Sequence, residues 1–272
     1  VSTLWDGHNI SDILFSGGAI VPLLLGVALL ELVVPEHKDT QPFMRRWISN
    51  YSLMAVSVAL ATLLAPALAY VTNIVLARSP LNWAPGELGF WIHLAYAILL
   101  LDLLSYAVHR TLHAALPLWR LHALHHSDIS LDVSTTVRHH PGETIFSAFV
   151  LGIGGAALGC SALEVAVYGV LENVVQLVGH ADIRLPTWMA RANRWVFVTP
   201  QFHRIHHSSA RPETDSNYGQ VFAFWDKLFG TFGGLADQAR GPIEFGLRDF
   251  RDPTSQRLDQ ALLLPFNVRR RD

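Results

Sequence analysis

Apolar and polar positions alternate along the chain in long blocks, and the apolar blocks have the length of membrane spans. Ile13 to Val34 is interrupted only by small residues, Pro22 and Glu31 near its end, and ~20 mostly apolar residues suffice to cross a bilayer as a helix. Leu53 to Ala77, with Pro66 in its middle, and Phe90 to Val108 are two more such blocks. Pro66 removes one helical donor and predicts a kink. After a polar, histidine-rich stretch, Ile145 to Gly159 and Ala162 to Val178 flank a break at Gly159-Cys160-Ser161. The first of these is short and glycine-rich, so it reads either as a span or as a segment that enters and leaves one leaflet. The pattern predicts an all-α protein, a polytopic membrane helix bundle with a polar helical cap.

Composition supports this reading. Hydrophobic residues make up 51% of the 272 and charged residues only 15%, against roughly 25% in soluble domains. The mean hydropathy of +0.29 is moderate, which requires a water-facing part as well. No repeat or linker divides the chain, so residues 1–272 read as a single domain. The net charge of -2 supplies no basic field and argues against nucleic acid as a partner. The residues before the first block carry Asp6 and Asp12 but no Lys or Arg, unlike a secretory signal. Lys38, Arg45 and Arg46 lie in the first connection, whereas the next, from Arg78 to Gly89, has one basic residue at its edge. The positive-inside rule then places the first connection, the end of the third helix and the arginine-bearing tail in the cytosol. The closing Arg269, Arg270 and Arg271 form a basic end that suits anionic headgroups or solvent.

Fourteen histidines change the picture more than any other residue type. His109 and His113 stand four apart at the end of the third helix, a spacing that puts two imidazoles on one face, where they can chelate one metal. His122, His125 and His126 follow. His122 and His126 share a face there, and His125 is turned by ~100°, so one segment can serve two metals. The pattern recurs about 80 residues later as His203, His206 and His207, beyond the reach of one helix. Eight imidazoles gathered without a cation would waste their lone pairs when buried and repel when protonated. With Cys160 as the only cysteine, thiolate zinc sites and Fe-S clusters are excluded, and imidazole suits Fe, Zn, Cu or Ni. His8, His37 and His93 have no histidine neighbour at chelating spacing and read as interfacial or inter-helix polar groups. Asp102 and Tyr106 share a helical stripe with His109. An intramembrane carboxylate needs a partner, and Asp102 is expected to orient a ligand histidine, with a tie between helices as the alternative.

H-x3-H followed by two copies of H-x2-H-H resembles the fatty acid hydroxylase superfamily, with its sterol desaturases, sterol methyl oxidases and alkylglycerol monooxygenases. The resemblance runs from about Leu99 to Thr231. It includes Arg138-His139-His140-Pro141 with Glu143, the stretch from Gly179 to Pro186 around His180, Thr214 to Gly219, and Trp225 to Thr231 with Asp226. It implies that His109, His113, His122, His125, His126, His203, His206 and His207 are ligands to two iron ions, that His180 is a ninth, and that purified protein could carry zinc instead. Where some relatives have a further histidine this chain has Gln176; the missing ligand is then absent, replaced by a water on Gln176 or Asn173, or supplied by His140. Asp226 joins Asp102 and Tyr106 as a residue expected to support the ligands.

The resemblance implies an enzyme that uses O2 and electrons from a separate reductase, ferredoxin or cytochrome to hydroxylate a lipid at the membrane, or alternatively to desaturate one. No flavin or nicotinamide fingerprint is present. His140-Pro141-Gly142 is followed by Glu143 and apolar sequence, which speaks against a fused haem domain. A zinc transporter or sensor would place its ligands near mid-membrane, and a lipid hydrolase would need an H-E-x-x-H motif that is missing.

Overall fold

The computed structural model describes residues 10–36, 43–80, 89–193, 195–236 and 243–268, with side chains of the first helix described from Pro22 onward. Among these residues the chain is helical, with isolated β-bridges and no strand. The long helices are α1 (Ile10–Val33), α2 (Phe43–Arg78), α3 (Phe90–Ala114), α5 (Pro141–Ala157) and α6 (Ala162–His180). The shorter ones are α4 (Leu116–His126), α7 (Thr187–Asn193), α8 (Pro200–His206), α9 (Arg211–Thr214), α10 (Phe224–Leu228) and α11 (Leu258–Asn267). Met44–Arg78, Phe90–Ala114 and Ala162–His180 are long and apolar enough to cross a membrane. Large apolar side chains such as Val58, Leu63 and Tyr70 point outward from α2, as lipid-facing residues should. The fold is the all-α membrane bundle with a histidine-rich cap.

Helix α2 begins ten residues before its apolar block and, at 36 residues, is about 54 Å long, well beyond the ~30 Å hydrocarbon core. Its first turns belong to the cap. Arg46 is buried there, with Nη1 donating to Asp128 Oδ2 at 3.0 Å and Ser130 O at 2.7 Å, while Nη2 pairs with Asp132. Asn50 Nδ2 donates to Ser134 Oγ at 3.0 Å, and Arg138 Nη1 donates to Asn50 Oδ1 at 2.8 Å. These bonds hold the loop from Ser127 to Arg138, which joins two histidine-bearing segments. Pro66 does not end the helix. Glu31, at the cap end of α1, accepts from the backbone of Val133 and Asp182, each at 2.8 Å, so its carboxylate is satisfied rather than facing lipid.

The short apolar block forms α5, whose last turn reaches the end of α2. Ser79 Oγ, just past the end of α2, donates to Ala157 O at 2.8 Å at the last turn of α5. Its glycines allow this close descent. A Cβ on Gly152 would meet Leu68 and Thr72 of α2 at 3.2 and 3.3 Å, and one on Gly155 would meet Leu101 of α3 at 2.9 Å. The chain turns at Gly159, whose φ of 80° suits glycine, and Ser161 with Glu164 caps α6 through a reciprocal pair of bonds. At this end, distant from the cap, the buried His93 pairs with Glu164. His8, His37 and Arg269 to Arg271 lie outside the described residues.

Asp102 differs from expectation. Its carboxylate meets no imidazole; it accepts from Val221 N at 3.0 Å, Phe222 N at 3.1 Å, Trp225 Nε1 at 2.8 Å and Tyr168 OH at 3.1 Å. Val198 N to Val221 O and Ala223 N to Val196 O close the remaining backbone bonds of this hairpin. The tail therefore comes down beside α3, seven residues or about 10 Å from His109, and Asp102 satisfies amides that lipid could not. The alternative reading of Asp102, a tie between segments, is the one that describes it.

Candidate metal centre

Three helix ends and one loop-borne helix deliver nine imidazoles to one place. His109 and His113 come from the last turns of α3, His122 and His126 from one face of α4, and His206 from α8; together they form one group. His125 from α4, His180 from the end of α6, His203 from α8 and His207 just after it form the second. Each H-x2-H-H thus divides between groups, as the 100° turn per residue requires. Within each group the ligand atoms lie within 4.8 Å of one another, and every member is buried. The groups abut, with the rings of His126 and His207 stacked at 4.7 Å.

Hydrogen bonds at the opposite nitrogens decide what the inward atoms present. His109 Nδ1 lies 2.9 Å from Tyr218 O, His180 Nδ1 2.8 Å from Gln176 O and His206 Nδ1 2.7 Å from Ser216 O. His122 Nδ1 lies 2.8 Å from Glu143 Oε1, and His113 Nδ1 is 3.4 Å from Asp215 Oδ1. A carbonyl or carboxylate only accepts, so in the neutral ring His113, His122, His180 and His206 carry their proton on Nδ1 and a bare lone pair on Nε2, while His109 Nδ1 also meets the Gln220 amide nitrogen at 2.5 Å. His109 Nε2 and His122 Nε2 nevertheless face each other at 3.2 Å. In the second group His180 Nε2 lies 3.0 Å from His203 Nε2, 3.1 Å from His125 Nε2 and 3.2 Å from His207 Nε2. The Nε2 atom of His206 is buried without a hydrogen bond. Converging lone pairs repel unless a cation lies between them, and the donor set is the nitrogen-rich one that suits iron or zinc.

Burial, reinforced by neighbouring imidazoles, holds His125, His126, His203 and His207 well below the ordinary imidazole range. His206 is pushed down to about 3 by burial. Downward shifts of this kind favour the neutral form of these five rings, as metal ligation requires.

The supporting residues sort differently from expectation. Asp226 accepts from Tyr218 N and Gly219 N, both at 2.7 Å, and from Thr231 Oγ1 at 2.6 Å, fixing the turn whose Tyr218 carbonyl meets His109. Tyr106 OH meets Thr231 Oγ1 at 2.8 Å and its ring stacks on Phe229, so it too supports the turn rather than an imidazole. Asn217 occupies a left-handed backbone position, φ 55°, and donates to Phe202 O and Gly234 O. His140 belongs to neither group. Its Nδ1 caps α5 by accepting from Gly142 N at 3.1 Å, and Nε2 lies 3.3 Å from Leu262 O. The Gln176 side chain donates to Gln220 O at 2.6 Å, and Asn173 donates to Gly169 O at 2.7 Å; both line a cavity beside the histidines rather than entering a group.

Two neighbours escaped the sequence reading as site residues. His139 stacks on His125 at 4.3 Å, and its Nδ1 lies 2.9 Å from Glu143 Oε1, the oxygen that meets His122. Burial opposes the His139 cation, yet Glu143 beside it raises its pKa. The available signal was Glu143 four residues after His139 at a proline-marked helix start.

The cavity, about 290 Å³, runs from His109, His122, His125, His180 and His203 into the space between α3, α5 and α6. It has room for part of a lipid chain next to the converging nitrogens.

Comparison with known proteins agrees with this geometry. Residues 94–231, about half of the chain, match the family model described as fatty acid hydroxylase. Ornithine lipid hydroxylase OlsE of Rhizobium tropici is 31% identical over 64% of this chain and 49% of its own length. Alkylglycerol monooxygenase of Caenorhabditis elegans is 31% identical over 61% of this chain and 32% of its own. A cholesterol 25-hydroxylase-like protein of Danio rerio is 27% identical over 80% and 89%. The chain thus spans about half of the first relative and about a third of the second. No solved structure matches it. With its family model covering the helices that carry all nine clustered histidines, the chain belongs to the fatty acid hydroxylase family.

Proposed function

We propose that this chain is a membrane-bound, O2-dependent oxidoreductase whose nine histidines hold two iron ions and which hydroxylates a lipid. The observation that carries the reading is the convergence of nine buried imidazoles in two abutting groups whose Nε2 atoms approach to 3.0–3.2 Å, an arrangement that a cation in each group would satisfy. Two reduced irons, when bound, supply the power to activate O2 against an unactivated C–H bond. The protein's own part is positional. Tyr218, Ser216 and Gln176 carbonyls with Glu143 and Asp215 fix the imidazole rings, and the cavity wall holds a substrate carbon beside them away from water. Hydroxylation puts one oxygen atom of O2 into the substrate and releases the other as water, consuming two electrons and two protons. The electrons come from a separate reductase, ferredoxin or cytochrome.

Desaturation of a lipid by the same site is the second reading within this class. It differs in the product, loss of two hydrogens instead of gain of one oxygen. Lipid mass spectrometry of membranes with and without the active protein separates the two. The decisive test is reconstitution of metal-free protein, with metal content, O2 uptake and product followed together. Iron should restore turnover and zinc should not, although imidazole sites bind both and the affinity order does not favour Fe(II). Full activity of a zinc-only preparation, or turnover without O2, would end the oxygenase reading in favour of a hydrolase. Metal binding without any turnover would favour a transporter or sensor.

A further inference from the structure

The wall of the cavity is not that of a channel for hydrocarbon alone. It carries Glu172, Asn173 and Gln176 from α6, Ser105 from α3 and Ser147 from α5, and α3 and α6 are helices built to cross a membrane. Ionisable groups at such depth are expensive and mark substrate or ion sites unless they are fully paired. Glu172 is not fully paired. The Ser105 hydroxyl donates to its Oε1, and the Tyr168 hydroxyl, which it shares with Asp102, lies 3.1 Å from the same oxygen, while Oε2 makes no hydrogen bond among the described residues. The side chain is half-buried because it faces the cavity.

Its distance from the metal groups is set by helix geometry. Glu172 lies two turns before His180 on α6, about 12 Å along the axis, and its partner Ser105 lies one turn, about 6 Å, before His109 on α3. The Glu172 backbone therefore sits about two helical turns from His180, and its side chain lines the cavity that the histidines also line.

We propose that Glu172 is a specificity-determining residue: it accepts a hydrogen bond from a hydroxyl, amide N–H or ammonium group of an amphiphilic substrate whose reacting carbon lies several bonds away, at the histidines. The inference rests on the oxygenase reading for which carbon reacts, but binding tests it without turnover. A donor group matched to the free oxygen gains a hydrogen bond, whereas a ligand lacking the donor leaves that oxygen buried and unpaired, a discrimination of about tenfold or more.

The test uses zinc-loaded full-length protein in lipid nanodiscs and a C16 alcohol carrying a chain diazirine, with crosslinks mapped by peptide mass spectrometry. Labelling of the cavity peptides around Ser147 and Leu151 is competed with 1-hexadecanol, hexadecylamine or hexadecyl methyl ether. In wild type the alcohol or the amine should compete about tenfold better than the ether, and which of the two does so identifies a neutral or a cationic donor. Glu172→Leu should erase the difference while leaving competition by the ether unchanged. Glu172→Gln, which keeps an acceptor oxygen, should retain discrimination by the alcohol. Ser105→Ala, which loosens the tie between α3 and α6 but leaves the carboxylate, should retain discrimination as well. Equal competition by donor and ether in wild type overturns the proposal. So does discrimination that survives Glu172→Leu, discrimination that vanishes in Ser105→Ala, or absence of cavity labelling. Because zinc-loaded protein serves, failure of iron-dependent turnover leaves this result standing, and loss of discrimination leaves the oxygenase reading standing.

Discussion

Glu143 Oε1 lies 2.8 Å from His122 Nδ1, so a carboxylate three residues into α5 fixes the ring orientation of an imidazole on α4. The same oxygen meets His139, which stacks on His125 of the other group. One residue thus reaches both halves of the centre, the first directly at His122 and the second through His139. Partners of this kind typically set metal affinity or activity by 10–100-fold. Glu143→Gln is expected to lower iron content or turnover within that range, and Glu143→Ala to lower it further, since the amide can still accept one of the two bonds. Elemental analysis of matched preparations, with O2 uptake, checks this. Unchanged metal content and rate in Glu143→Ala would remove Glu143 from the site.

Alanine scanning should separate the nine clustered histidines from the rest. Replacing any of His109, His113, His122, His125, His126, His180, His203, His206 or His207 is expected to abolish turnover, because each loss is more direct than that of a ligand's hydrogen-bond partner. His140→Ala is expected to behave differently, with metal retained and stability reduced by about 1 kcal/mol, the worth of a helix N-cap. The variants are compared as folded, membrane-inserted protein, because metal binding and folding are coupled. Two or more clustered substitutions with normal turnover and metal, or a metal-free His140→Ala, would break this sorting.

The two groups were legible in the sequence because helical spacing alone states which imidazoles share a face. His139 and Glu143 were not, since their own i, i+4 spacing pairs them only with each other, and only the tertiary approach of α5 to α4 brings them to His122 and His125. The apolar blocks located the long helices, but a hydropathy reading stops at Leu53, whereas α2 starts at Phe43. The polar side chains of its first turns, Arg46 and Asn50, are buried by the Asp128–Arg138 loop, and an ion-pair network between residues some 80 apart leaves no local trace. Asp102 was misread for the same reason, since its partners lie about 120 residues further along the chain.

Asp102 should matter for stability more than for metal. Removing its carboxylate strands two backbone amides and the Trp225 indole, at about 1–3 kcal/mol for each group left buried without an acceptor, while the Tyr168 hydroxyl keeps Glu172 as its partner. Asp102→Ala is therefore expected to lower the thermal midpoint in detergent markedly. Asp102→Asn keeps one acceptor oxygen and should lower it less, and protein of this variant held below its midpoint should keep its metal. An Asp102→Asn protein of wild-type stability that had lost its metal would restore the role in orienting a histidine.

The orientation of the histidine end is open to a direct chemical test. We propose that it faces the cytosol, on the strength of Lys38, Arg45 and Arg46 in the first connection and of the arginines in the tail. Both flanks of that connection sit at the histidine end. Glu36 N donates to Asp182 O at 3.1 Å, two residues after His180, and Arg46 pairs with Asp128, two residues after His126. Ser79, bonded to Ala157, marks the opposite end, so the connection after it reports the other side. The native Cys160 is buried and contributes little background. In intact cells an impermeant thiol reagent should label Asn82→Cys, and Thr40→Cys only after permeabilisation. Labelling of Thr40→Cys from outside, with Asn82→Cys protected, would reverse the orientation and put the metal centre on the external face, where electrons would have to come from a non-cytosolic donor.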